Sequence, residues 1–242
     1  MRKIASTFCC ILMLCGCAEH DPILPGVRTP IFDTQNIKIL NTDVPNLPET
    51  IPVEDSSNCP YTQDSSNVIR DGDRKIFSGF PTNNSVASNQ KPICKSGYVY
   101  AGLTTGEVIK VAPNSRKVMW IADVFRKSNM TGGASIVDIV APLVINNGSV
   151  YAGGLGDAFC RIDAISGTKK WCTEIGTAVP FIVSNKVAFV VGTDNYLYAV
   201  RTSDGSVYWR TEVKQQAAPT YKNKIITVGE VKINAETGNI IQ

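Results

Sequence analysis

The side chains with the most distinctive chemistry in this 242-residue chain are its 8 cysteines. Cys9, Cys10, Cys15 and Cys17 crowd the N-terminus, whereas Cys59, Cys94, Cys160 and Cys172 are spread along the rest. A cysteine at the start of an exported chain is a site for acylation, and cysteines further along such a chain pair as disulfides. Cys160 and Cys172 stand at symmetric distances from the turn Ile165-Ser166-Gly167. A hairpin there sets them face to face on neighbouring strands, as a disulfide or as two buried thiols. Cys59 and Cys94 remain as the second pair by elimination, a bond that would clip the end of the N-terminal segment onto the first folded unit. Zinc is disfavoured, because the four later cysteines contain no CxxC pair and the single histidine, His20, lies beside the N-terminus. The same lack of histidine excludes a Ser/His/Asp set, and Thr131-Gly132-Gly133-Ala134 is too short for a phosphate loop. Asp157, Asp194 and Asp204 fall in turn sequences, where a carboxylate ordinarily caps its own backbone. Neither catalysis, nor a metal, nor a cofactor is expected.

The N-terminus sets the compartment. Arg2 and Lys3 precede an apolar run from Ile4 to Leu14 that is too short to span a bilayer, the pattern of an export signal. Its end, Leu14-Cys15-Gly16-Cys17, resembles the bacterial lipobox. That resemblance implies a leader over 1–16, palmitate-type acylation of Cys17 and, with Ala18 where a retention signal would carry Asp, sorting to the outer membrane facing the periplasm. Removal of Arg2 and Lys3 leaves 22 basic against 21 acidic residues, a balance of +1, and no nucleic-acid partner is implied.

From Cys17 to about residue 73 the sequence is irregular and carries seven of the 13 prolines, which reads as a lipid anchor followed by a stiff, extended tether. Beyond it, in a repeat domain spanning 74–242, the chain repeats itself. Pro142 and Pro180, Gly167 and Gly205, and Trp171 and Trp209 are each 38 residues apart. Less regular copies flank these, so four units are expected over about 92–120, 142–171, 180–209 and 219–242. Each holds short β-branched and aromatic runs broken by turn sequences such as Asn146-Asn147-Gly148 and Ser203-Asp204-Gly205, the signature of a four-stranded antiparallel meander. A unit of about 40 residues with four strands cannot bury both faces alone and must stack on its neighbours, so the fold class is all-β, built of β-propeller blades.

Asp163-Ala164-Ile165-Ser166-Gly167, followed by Trp171, resembles the repeat of pyrroloquinoline-quinone-type (PQQ-like) propellers. Gly205 with Trp209 repeats it, Gly238 keeps the turn, and Trp120 keeps the aromatic with Arg116 at the glycine place. Lipobox, proline-rich segment and blades together resemble the BamB-like outer-membrane assembly lipoproteins, to which Leu24-Pro25-Gly26-Val27-Arg28 is also similar. The resemblance implies a non-enzymatic scaffold that helps insert β-barrel proteins into the outer membrane, with a BamA-like insertion protein and its complex as partners. It also implies eight blades, against the four read here. The four could close on themselves, pair with a second copy as a homodimer, or belong to an incomplete product. The last repeat reads as one strand short, and Lys75-Ile76-Phe77 or Val86-Ala87-Ser88 are candidates to complete it.

One connection is long: Pro142 follows Trp120 by 22 positions, where Pro180 follows Trp171 by nine. It carries Arg126, Lys127 and Asp138, and the resemblance implies that an acidic residue before a blade's first strand docks the insertion protein, which makes Asp138 the partner-binding candidate. The rival readings are a degenerate PQQ-dependent dehydrogenase and a ligand-binding propeller. The dehydrogenases of this fold are characterised by a vicinal cysteine pair, and the only such pair here, Cys9-Cys10, lies in the leader.

Overall fold

The computed structural model describes residues 37–52, 58–82, 86, 91–125 and 136–241. Cys17 and the Leu24 to Arg28 element lie outside the described residues. Four four-stranded antiparallel meanders follow one another along the chain. The first blade is β4 (Ile93–Lys95), β5 (Tyr98–Gly102), β6 (Glu107–Ala112) and β7 (Lys117–Asp123). The second is β8 (Val144–Asn146), β9 (Ser149–Gly153), β10 (Phe159–Asp163) and β11 (Lys169–Thr173). The third is β12 (Ile182–Val183), β13 (Val187–Val191), β14 (Tyr196–Arg201) and β15 (Val207–Glu212). The fourth is β16 (Thr220–Lys222), β17 (Ile225–Val228), β18 (Val231–Asn234) and β19 (Ile240–Ile241). These are the four expected repeats. The fourth supplies its own last strand, with Ile240 and Ile241 opposite Ile233 and Lys232, so neither candidate closing strand is needed.

A fifth sheet, absent from the sequence reading, precedes them: β1 (Thr62–Gln63), β2 (Val68–Asp71) and β3 (Arg74–Ser78), paired in that order. Lys75-Ile76-Phe77 therefore belongs to β3, against β2. Among the described residues this sheet is a blade without its first strand. Every four-stranded blade except the fourth has a register shift between its third and fourth strands, at Lys110/Val111, Arg161/Ile162 and Ala199/Val200, and the N-terminal sheet has the same shift at Ile69/Arg70. The residue opposite the shift is Trp120, Trp171 or Trp209 in the blades and Phe77 in the N-terminal sheet. Such bulges increase strand twist, and the added twist lets successive sheets fan around one side.

Stacking explains the burial pattern. β9 and β13 are buried along their whole length, because their side chains point alternately into the cores on either side. One core joins the N-terminal sheet to the first blade (Ile69, Ile76, Val99, Ile109). The next joins the first and second blades (Val108, Ile139, Val150, Ile162), and another the second and third (Phe159, Phe181, Val190, Tyr198). The fourth blade packs Ile226, Val228 and Ile233 against Phe189 and Leu197 of the third.

Each junction between four-stranded blades is locked by one tryptophan. A Cβ added to Gly167 would stand 2.5 Å from Trp120 Cγ, one on Gly205 2.7 Å from Trp171 Cε3, and one on Gly238 2.6 Å from Trp209 Cδ2. The indole of each blade thus lies flat on the glycine turn of the next, and these glycines also have φ between +75° and +78°. The indole N–H donates to a carbonyl of the same turn: Trp120 to Ala164 (3.3 Å), Trp171 to Thr202 (2.9 Å), Trp209 to Glu236 (3.0 Å). A cation joins it at two junctions, Lys110 Nζ donating to the Ala164 carbonyl (2.8 Å) and Arg161 to that of Thr202 (2.9 Å). The turn of the first blade faces Phe77's sheet rather than an indole, and there Arg116 takes the left-handed conformation, with φ of 56°.

The expected tether over 17–73 does not run free in its described part. Residues 37–51 form a strap across the third and fourth blades, and residues from Thr62 onward enter the N-terminal sheet. The Leu40 N–H donates to the Val207 carbonyl (2.8 Å), Val207 N–H to Lys38 (2.9 Å), Val44 N–H to Glu236 (2.8 Å) and Asn223 N–H to Glu49 (2.9 Å). Ile37, Val44, Leu47 and Ile51 are buried. Each buried aliphatic side chain contributes about 1.5–3 kcal/mol, which outweighs the freedom that a proline-containing, already stiff segment gives up.

Both cysteine pairs are bonded. Cys160 and Cys172 are directly opposed on β10 and β11, with Cα atoms 4.1 Å apart, and Cys59 is joined to Cys94 of β4 at 5.0 Å.

Candidate functional site

The long connection returns at Ile136 and threads between two blades at the end where second strands turn into third strands. Ile139 N–H donates to the Leu103 carbonyl (3.1 Å), and Leu155 N–H to the Asp138 carbonyl (2.9 Å). The next junction repeats this pattern, Thr177 N–H to Gly154 (2.9 Å) and Thr193 N–H to Gly176 (2.8 Å). Asp138 therefore occupies the position of Gly176, four residues before the proline in each case. Its backbone is fixed, since a Cβ on Gly154 would stand 2.1 Å from the Asp138 carbonyl oxygen.

The Asp138 side chain is 1% exposed. Oδ2 accepts the Val86 N–H at 2.6 Å, and Oδ1 is buried without a partner among the described residues. Burial pushes its carboxyl above the usual carboxylate range, and the bond from Val86 opposes that shift. Asp138, the partner-binding candidate, is thus buried beneath the Val86 backbone rather than at the surface. Arg126, Lys127 and Thr131-Gly132-Gly133 lie outside the described residues.

Among the described residues on this side of the molecule, three apolar side chains reach the surface. Val86 is 43% exposed, Ile136 41% and Phe80 84%. Phe80 is held by a second buried polar node. Asn67, fully buried, donates from Nδ2 to the Phe80 carbonyl and to Thr104 Oγ1, both at 2.8 Å, and accepts the Thr104 N–H at 2.8 Å. Thr82 completes the node with a 2.9 Å bond from its hydroxyl to that of Thr104. The two nodes converge on the Leu103-Thr104 turn after β5, so three exposed apolar side chains share one end of the N-terminal sheet and first two blades. The sequence offered a signal for Asp138 in the loop length. It offered none for Phe80 and Val86, whose neighbours are distant in the chain.

A second exposed feature is the outer edge of the first blade. β7 is the last strand of its sheet, and it turns Met119 and Ile121 to solvent. Asp163, Asp194 and Asp204 are turn caps. Asp204 pairs with Arg201. Asp163, held down to about 2 by the Ser166 N–H and hydroxyl, also accepts from Ile165 and pairs with Lys170. Asp194 accepts the hydroxyl of buried Tyr198 at 2.5 Å, and burial together with that carboxylate raises the phenol's pKa.

Among curated proteins, the outer membrane protein assembly factor BamB of Moranella endobia is 24% identical over 165 residues, 65% of this chain and 42% of that protein. The BamB of Salmonella typhimurium is 22% identical over the same length and shares. The matched segment thus spans less than half the length of these relatives. Among solved structures, the quinohemoprotein alcohol dehydrogenase ADHIIG of Pseudomonas putida HK5 is 14% identical, with a TM-score of 0.56 over 75% of this chain and 40% of that one, a likeness of fold alone. The family model described as outer membrane protein assembly factor BamB matches residues 76–228, from β3 to β17 of the fourth blade, and the chain belongs to that family.

Proposed function

We propose that this chain is a non-enzymatic lipoprotein scaffold, anchored through acylated Cys17 in the outer membrane and facing the periplasm, that assists assembly of β-barrel proteins. Family membership and the lipobox support the setting. The observation that carries the reading is the exposed apolar set Phe80, Val86 and Ile136, held over two buried polar nodes. An apolar cluster with a rigid polar foundation suits a protein partner better than solvent, since burying it on association gains the transfer energy at little ordering cost. The partner is a BamA-like insertion protein and its complex. Asp138 acts here as a positioning residue, holding the Val86 backbone in place. The outer edge of β7, with Met119 and Ile121 exposed, offers a second contact by strand addition to an incoming barrel segment.

The test is co-purification of the full chain with the barrel-insertion protein. Val86→Asp combined with Ile136→Asp should abolish it while thermal unfolding stays unchanged, because both side chains are at the surface. Retained co-purification in that variant overturns the assignment of the surface. Cys17→Ser should release the protein from the membrane fraction.

A further inference from the structure

A cleft of about 390 Å³ opens between the strap and the turns that join β8 to β9 and β12 to β13. That volume lies toward the lower end of the range of small-ligand sites, about 300–1,000 Å³. Its floor is apolar, formed by the buried side chains of Leu47, Ile51 and Val183. Its rim carries amides, two hydroxyls and one ammonium group, and no carboxylate lines it among the described residues. Asn185 Oδ1 already accepts from Asn147 at 2.7 Å, which leaves the donor side of that amide for the cleft. Lys186 forms no ion pair among the described residues. On the strap's other side the Pro48 and Glu49 carbonyls are engaged by the Tyr221 hydroxyl and the Asn223 N–H, so the wall is preformed.

A site with an apolar floor, surplus amide donors and an ammonium group that has no ion pair among the described residues selects an anion with a short apolar body. We propose that this cleft binds small apolar carboxylates, with Lys186 and the Asn185 amide on the carboxylate and Leu47, Ile51 and Val183 around the apolar part. The strap, held to the blades by backbone hydrogen bonds, then serves as one wall of a binding site. The cleft lies at the opposite ends of the strands from Asp138, so its test is independent of the docking surface.

The experiment is calorimetric titration of the full chain with N-acetyl-leucine and with hexanoate, each beside its uncharged amide. At least one acid should bind saturably, about tenfold or more tighter than its amide, and Lys186→Gln should weaken it by about tenfold at unchanged thermal stability. Binding of N-acetyl-leucine alone identifies an amino-acid or peptide source, and binding of hexanoate alone a fatty-acid source. The proposal is overturned if neither acid binds, or if the amides and Lys186→Gln bind as the acids and the unaltered chain do.

Discussion

Gly205 of the third blade lies face-on to the indole of Trp171 in the second, close enough that a single added methyl group would stand 2.7 Å from Cε3. Trp171 Nε1 donates to Thr202, and Thr173, two residues further along β11, donates its hydroxyl to the Gly205 carbonyl at 2.5 Å. One turn is thus gripped from both sides of the indole. Gly205→Ala combines that clash with φ of +77°, a backbone strain of about 1–3 kcal/mol by itself. Chemical unfolding should show at least that loss. Arg116→Gly, at the corresponding turn with no indole against it, should leave stability unchanged or raise it by about 1 kcal/mol, because it relieves a left-handed non-glycine residue.

Trp209→Ala should cost about 3–5 kcal/mol, the usual range for truncating a large core aromatic. The indole shares one buried cluster with Phe189 and the strap residues Val44, Leu47 and Ile51, so the same variant should make residues 44–51 the first part of the chain to exchange amide hydrogens. Uniform exchange across all blades would count against this order.

The disulfide between Cys160 and Cys172 closes a loop with a sequence separation of 12, and its removal by paired alanines should lower stability by about 3 kcal/mol. Removal of Cys59–Cys94 should act mainly on the N-terminal sheet, which that bond ties to β4. Limited proteolysis distinguishes the two, with early cleavage before residue 80 expected only for the second pair.

Asp138 carries a pH signature. Its folded-state pKa is raised, so the folded chain binds this proton more tightly than the unfolded one, and the stabilisation from protonation is present at low pH and lost as pH rises through the raised value. The stability of the unaltered protein relative to Asp138→Asn should therefore increase as pH falls from 7 toward 4. A pH-independent difference would show that the carboxylate is solvated in the folded state.

Much of the repeat architecture is legible in the chain because it is local. Strand alternation, a turn glycine and a tryptophan four residues later recur at a 38-residue spacing, and stacking then follows from the need of each small sheet to bury both faces. The pairing of Cys160 with Cys172 was equally readable, since the two flank one turn. Three features depended on contacts between distant residues. The strap's prolines read as tether, and it is the backbone bonds to Val207, Glu236 and Asn223 and the burial of Ile37, Val44, Leu47 and Ile51 that bind it to the blades. The N-terminal sheet escaped the repeat because Phe77 stands where the blades carry tryptophan, and the shared bulge that relates it to the blades is visible only in register. Asp138 was singled out as a partner contact by the resemblance and by its place in a long connection, where an acid is normally exposed. Its burial is decided by Gly154, Leu155 and Val86, which close over it from other parts of the chain, and desolvation by neighbours brought together in folding leaves no periodic trace in sequence.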